Sequence, residues 1–199
     1  MKKNSRPSTP DPGASAPTAS STIVLGIDPG TLITGYGVIE RGRGRTRLLG
    51  CGTIRNDSRQ PLARRLKVIY TGIREVIDQF HPSECAIESA FYGKNAQSAL
   101  KLGHARGVSM LAAVEQDIPT SEYSPREVKK AIVGKGTASK EQVQYMVKRL
   151  LNLSDLRMPV DASDAIAIAL CHLQRSGGGA VKSRDWKSYI AEHPERVTS

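Results

Sequence analysis

The chain has 199 residues, 39% of them hydrophobic, and a formal net charge of +10 at pH 7. That length suits one domain with a substantial core and is too short for two large ones. No apolar stretch reaches the roughly 20 residues of a membrane-spanning helix, and the excess positive charge favours a polyanionic partner, with nucleic acid first and an anionic membrane surface second.

The cysteines indicate a reducing compartment. Cys51, Cys85 and Cys171 are odd in number, widely spaced and without the paired spacing of a metal site, so we expect reduced thiols in or near the core. Lys2 and Lys3 are followed by prolines, serines and alanines, so a secretory signal is not expected. These features predict a cytoplasmic protein that does not associate with a membrane.

The first structured stretch follows a polar tail. Residues 1–21 are mostly Ser, Thr, Pro, Ala and Gly, a composition that predicts disorder because it buries too little apolar surface. Residues 22–27 are apolar and β-branched, which predicts a buried strand that delivers Asp28 to its end. A Pro-Gly pair breaks this strand and residues 34–39 resume an extended pattern, which predicts a hairpin with a carboxylate beside its turn. Alone, this stretch is equally compatible with an ordinary Asp-Pro-Gly turn.

The next elements bring a second carboxylate to the same place. Residues 48–54 predict a third, antiparallel strand, and apolar residues at helical spacing predict a helix from Pro61 to a His-Pro pair at 81–82. Residues 84–89 predict a short buried strand that carries Glu88 at its end. A strand, a crossover helix and a strand imply parallel pairing, so we expect Glu88 and Asp28 at one edge of the sheet.

A long helix over residues 95–116 has small and apolar residues nearly all round it, which is typical of a helix buried on two sides. One side can pack on the sheet. The other side is predicted to pack against a second copy of the subunit. The alternative is that later helices of the same chain cover it.

The second half of the chain carries much of the positive charge. A short strand at 119–123 precedes a helix that begins with Ser, Pro and a back-reaching Glu, and another helix spans 139–151. Seven basic and three acidic residues lie between positions 121 and 150, which favours contact with a phosphodiester backbone. Residues 176–199 predict a flexible polar tail.

The final helix begins after Pro159, and Asp161 and Asp164 share one face of its first turn. Alone they would be read as acids favoured by the helix dipole. The rest of this helix is apolar, so its acidic turn must face something other than bulk water. Four clustered carboxylates favour hard cations such as Mg²⁺ or Mn²⁺, and two such ions support phosphodiester hydrolysis.

Four motifs, in this order, resemble those of the RuvC family of bacterial Holliday-junction resolvases, within the ribonuclease H and retroviral-integrase superfamily. The resemblance covers roughly residues 22–175 and is most specific in the third motif. The motifs are Leu-Gly-Ile-Asp-Pro-Gly-Thr with Thr-Gly-Tyr-Gly-Val-Ile (25–39), Ala-Ile-Glu (86–88), the stretch from Lys-Asn-Ala to Ala-Arg-Gly (94–107), and Asp-Ala-Ser-Asp-Ala (161–165).

This resemblance implies an α/β, ribonuclease H-like nuclease domain over residues 22–175, with a five-stranded mixed sheet of three antiparallel and two parallel strands flanked by helices. It implies symmetric, metal-dependent nicking of two strands of a four-way DNA junction during homologous recombination and repair, leaving 5′-phosphate and 3′-hydroxyl ends. It also implies a homodimer, and the RuvA–RuvB branch-migration complex as a further partner.

The resemblance assigns roles to individual residues. Asp28, Glu88, Asp161 and Asp164 are expected to be catalytic and to bind two Mg²⁺ ions, with Mn²⁺ as a substitute. Phe91 is expected to stack on a base at the junction centre. The remaining DNA contacts are expected from Lys94, Lys129 and Lys140.

Two rival functions fit parts of the sequence less well. An actin-like or sugar-kinase ATPase has a similar phosphate-binding hairpin but needs a duplicated second lobe, and this chain has no second such hairpin and too little length for one. A junction-binding protein without catalysis would keep the basic surface and lose acids, whereas all four acids are present.

Overall fold

The computed structural model describes residues 21–42, 45–89, 96–153 and 158–176, and the two predicted tails lie almost wholly outside them. Ten elements follow one another: β1 (Thr22–Asp28), β2 (Ile33–Gly42), β3 (Arg45–Arg55), α1 (Leu62–Phe80), β4 (Glu84–Glu88), α2 (Ala96–Val114), β5 (Thr120–Tyr123), α3 (Pro125–Val133), α4 (Lys140–Leu150) and α5 (Val160–Ser176).

The strands form one five-stranded mixed sheet in the order β3-β2-β1-β4-β5. β1 pairs with β2, and β2 with β3, in antiparallel fashion, while β1 with β4 and β4 with β5 are parallel. The predicted mixed sheet is therefore confirmed. β3 begins three residues earlier than predicted because Arg45 and Arg47 continue the ladder opposite Gly42 and Glu40, and Arg47 also forms an ion pair with Glu40.

Helices cover both faces of the sheet. On one face, α1 and α2 pack against β1 side chains such as Leu25 and Ile27. On the other face, α3, α4 and α5 enclose a second cluster that contains Val24 and Ile166. Because β1 is covered on both sides, its apolar run has no polar alternation, and the residue that follows the run is held rigidly.

The predicted helix boundaries agree with local chemistry. His81 adopts a left-handed conformation (φ 48°) and ends α1. Ser124 caps α3 by accepting a hydrogen bond from the Glu127 N–H, while the Glu127 carboxylate accepts one from the Ser124 N–H. This reciprocal pair is the capping box that the Ser-Pro-Arg-Glu sequence predicts.

α2 packs against this chain on one side only. It buries Ala105 and Ala112 against the sheet and α1, whereas Leu100, Leu111 and Val114 are 65%, 50% and 54% exposed. In the described part of the chain, the later helices therefore do not cover the opposite side of α2. No helix among the described residues is long and apolar enough to cross a bilayer.

A buried hydrogen-bond network fastens α5 to the sheet. The His172 side chain pairs through Nε2 with the Glu84 carboxylate and lies 2.8 Å through Nδ1 from the Tyr123 hydroxyl. Because a carboxylate can only accept, Nε2 is the donor to Glu84, and Nδ1 shares a second hydrogen bond with the Tyr123 hydroxyl. His172 is only 5% exposed, so water cannot easily replace these partners.

Removing the His172 ring is expected to destabilise the protein. A His172→Ala variant leaves the Tyr123 hydroxyl and the Glu84 carboxylate without their buried partner, which we expect to cost roughly 2–4 kcal/mol. Urea unfolding followed by circular dichroism measures the loss. The exposed His104 on α2 provides the matched control, and equal midpoints for His172→Ala and His104→Ala would contradict this role.

Candidate active site

Two carboxylates come to the same edge of the sheet because β1 and β4 are parallel. Ile27 of β1 is the register partner of Ile87 of β4, and the residues that follow them are Asp28 and Glu88. The topology expected from the sequence therefore holds, and both side chains lie beside the turn that joins β1 to β2.

The edge contains a pocket of about 240 Å³. Asp28 and Glu88 line it together with Asp164, which projects from the first turns of α5. Lys129 of α3 and Lys140 of α4 line the same pocket. Three acids and two bases from five different elements thus meet in one small cavity.

Burial and like charge make this pocket unfavourable for free carboxylates. Burial, followed by the charges of Glu88 and Asp164, raises the pKa of Asp28 from 3.8 to about 8. Burial and the Asp164 charge also raise the pKa of Glu88, while Lys140, a hydrogen bond with Asp28 and the Lys129 charge oppose that rise. The pocket therefore favours a proton or an added cation among its carboxylates.

Lys140 is the counter-charge that the chain itself supplies. Its ammonium group lies 3.0 Å from an Asp164 oxygen, and this hydrogen bond raises the pKa of Lys140. Lys140 is the first residue of α4, held there by the Ser139 cap, so the cap directs the lysine toward the acids.

Asp161 is not among the residues that line the pocket. Its backbone carbonyl lies directly over Gly35 of β2, where an added Cβ would be 2.0 Å from the Asp161 oxygen. Its charge raises the pKa of Asp28 less than the charges of Glu88 and Asp164 do. Of the two acids predicted on the first turn of α5, Asp164 therefore lines the pocket, while Asp161 acts on Asp28 through its charge. Phe91 and Lys94 lie outside the described residues.

The chemistry of the pocket fits a hard divalent cation. All three lining acids offer oxygen ligands, the type preferred by Mg²⁺ and Mn²⁺, and a bound cation would offset the burial and like charge that raise the pKa of Asp28. Among the described residues, no three Asp, Glu, His or Cys side chains already form a metal site. Asp28, Glu88 and Asp164 are the lining residues that could hold such an ion.

Two residues that sequence reasoning did not single out hold the Asp28 turn. The fully buried Thr34 hydroxyl donates to the Gly30 carbonyl at 2.8 Å. The Asn56 amide donates to the carbonyls of Thr31 and Arg65, both at 3.2 Å. The motif around Thr34 could have indicated the first contact. Nothing local marks Asn56, because its partners come from two other segments.

Comparisons with known proteins agree with one another. A family model described as crossover junction endodeoxyribonuclease RuvC matches residues 24–172. A protein of that name from Chloroherpeton thalassium is 44% identical over 183 residues, covering 88% of this chain and 98% of that protein. Another, from Tolumonas auensis, is 54% identical over 151 residues, covering 76% and 86%.

The fold also matches a solved structure from the same group. Thermus thermophilus RuvC in complex with a Holliday-junction substrate superposes with a TM-score of 0.73 at 35% identity. The match covers 78% of this chain and 94% of that one. The matched part of this chain is long enough to contain the whole sheet and its covering helices.

Proposed function

Because the chain belongs to the RuvC family of crossover junction endodeoxyribonucleases, we propose that the pocket of Asp28, Glu88 and Asp164 is where it cuts DNA. The chain is a structure-specific endonuclease that resolves Holliday junctions in DNA recombination and repair. Its architecture is ribonuclease H-like, as the sequence motifs implied.

One observation carries the choice of site. Asp28, Glu88 and Asp164 come from three elements and line one pocket with Lys129 and Lys140, although burial and the neighbouring acids raise the pKa values of Asp28 and Glu88. Acidic side chains held close together at a cost to the stability of the folded protein are typical of a functional site. A cation and a phosphate group would together satisfy both the acids and the bases.

The cation is proposed to be Mg²⁺, with Mn²⁺ as a substitute and two ions in each site. Asp28, Glu88 and Asp164, which line the pocket, would hold it together with Asp161 from the same first turns of α5. A bound divalent ion supplies Lewis-acid stabilisation of the attacking and leaving oxygens of the phosphodiester. Hydrolysis of this kind leaves 5′-phosphate and 3′-hydroxyl ends, because water attacks phosphorus and the 3′ oxygen leaves.

The two lysines are proposed to bind the scissile phosphate. Lys140 is 67% exposed and reaches Asp164 from the pocket mouth, so a phosphate can approach it from solvent. Lys129 lies close enough to lower the pKa of Glu88 and would bind the phosphate from the α3 side. Phe91 and Lys94 complete the proposed DNA contacts, with Phe91 stacking on an unpaired base.

A homodimer is proposed to supply two such pockets. A four-way junction has two strands to cut, and a two-fold dimer presents two identical sites. The exposed side of α2, with Leu100, Leu111 and Val114, is the surface proposed to meet the second copy. Recruitment by the RuvA–RuvB complex and a cytoplasmic location remain predictions from the sequence.

Cleavage of a mobile four-way junction in Mg²⁺, beside a linear duplex of the same sequence, tests this assignment. Wild type is expected to nick two opposed strands of the junction only, and Asp164→Asn to lose cleavage by at least about 10³-fold while still binding. Asp78→Asn, at an exposed acid on α1, is the matched control and should cut normally. Ends carrying a 3′-phosphate, or full activity in Asp164→Asn, would refute the proposal.

A further inference from the structure

A second concave surface lies on the opposite face of the sheet from α5. It is a groove of about 680 Å³ between β3 and α1. The first two turns of α1 contribute Arg64, Arg65 and Lys67 to it, and Ile54 and Val68 contribute apolar surface. We call this surface the α1 groove.

The basic side chains of the α1 groove make no ion pair in the described part of the chain, in contrast to five arginines elsewhere. Those five are paired with acids: Arg47 with Glu40, Arg59 with Asp57, Arg74 with Glu115, Arg106 with Glu122, and Arg175 with Glu127. The Arg65 Nε atom is buried without a hydrogen-bond partner, as are the Nε atoms of Arg74 and Arg106, so the missing ion pair is what sets the groove residues apart. One carboxylate, Glu75, also lines the groove, about two turns further along α1, so positive charge prevails at the helix start.

The α1 groove reaches the same edge of the sheet as the carboxylate pocket. Tyr36, which lines the groove, is the residue after Gly35, and Gly35 is the register partner of Asp28. Asn56 also lines the groove, and its side chain joins the β1–β2 turn to the start of α1. A strand held in the pocket can therefore continue over this edge toward the groove.

We propose that the α1 groove binds the sugar–phosphate backbone of the DNA arm next to the cleaved bond. This inference rests on the proposed function of the carboxylate pocket. Arg64, Arg65 and Lys67 supply the charge that phosphates require, and the neutral amide of Gln60, which also lines the groove, can donate further hydrogen bonds. An acidic peptide would also match the charge, but continuity with the pocket edge favours DNA.

The test compares two variants that lose the same charge. Arg64→Gln/Lys67→Gln removes two cations from the groove. Arg45→Gln/Arg47→Gln removes two exposed cations from the far end of β3, and it is the control. Junction affinity is measured by fluorescence anisotropy in EDTA at several salt concentrations, together with hydroxyl-radical footprinting of the arms.

The groove variant is expected to bind at least about 10-fold more weakly at about 100 mM salt, with the slope of log affinity against log salt reduced by about 2. It should also lose protection on the arm beside the cut site, while the control keeps affinity and footprint. Equal losses in both variants, or no loss in either, would overturn the inference, and the second result would favour an acidic protein partner. If wild type itself neither binds nor cuts the junction, the proposed function fails as well.

Discussion

An Asp28→Asn variant is expected to lose junction cleavage by at least about 10³-fold and yet to be more stable than wild type in the absence of metal. The carboxylate is partly buried at the end of β1 and faces Glu88 and Asp164, so its ionised form is disfavoured. An amide of nearly the same shape removes that repulsion but gives up a negative oxygen ligand. The same substitution should therefore help folding and abolish catalysis.

The pKa of Asp28 determines how the extra stability of the Asp28→Asn variant depends on pH. The pKa of Asp28 is about 8 in the folded protein, whereas its ordinary value, which applies to the unfolded chain, is 3.8. The folded state therefore holds a proton that the unfolded chain releases, and wild-type stability falls as pH rises from about 4 to about 8. The amide of the Asp28→Asn variant does not titrate, so the difference in stability should grow across this window and reach at least about 1 kcal/mol near neutral pH.

Thermal unfolding in EDTA at about pH 5 and about pH 8, with and without added Mg²⁺, measures both effects. Wild type should gain stability on adding the metal, because binding to the folded state alone shifts the equilibrium, and the variant should gain much less. The exposed Asp78→Asn serves again as the control. If Asp28→Asn unfolds earlier than wild type at the higher pH in EDTA, the electrostatic account of the pocket is wrong.

A single methyl group at Gly35 is expected to disturb both the fold and the active site. A Cβ at this position would lie 2.0 Å from the Asp161 carbonyl oxygen and 2.5 Å from its carbon. The clash is with backbone, so α5 has to move away from β2. We expect Gly35→Ala to cost roughly 2–4 kcal/mol and to lower cleavage by about 10²-fold, because Asp164 moves with the helix.

Gly42→Ala is the matched control for this prediction, since it lies in the same strand. A Cβ there would be 3.3 Å from the Ser21 side chain, a contact that a small displacement of Ser21 relieves. Gly35→Ala should therefore have a lower urea midpoint and a lower rate of junction cleavage than Gly42→Ala. Comparable stability and activity for Gly35→Ala and Gly42→Ala would contradict the view that close packing of α5 on β2 positions Asp164.

Local sequence patterns were enough to predict the order of strands and helices along the chain and the sheet edge at which Asp28 and Glu88 meet. Both follow from short-range features. An apolar run broken by Pro-Gly ends a strand, and a single crossover helix makes the next strand parallel. The capping box of Ser124 and Glu127 was predictable in the same way, because all its atoms lie within four residues. The motifs that identified the family are likewise contiguous stretches of chain.

Three features could be seen only in the folded chain. Asp164 lines the pocket and Asp161 does not, Lys140 pairs with Asp164, and one side of α2 is exposed. The α1 groove is a fourth such feature, because its lining residues Arg64 and Tyr36 come from distant segments of the chain. Each of these features depends on how closely one element approaches another. That distance is set by contacts such as Gly35 against the α5 backbone, which join residues far apart in the chain and leave no local pattern.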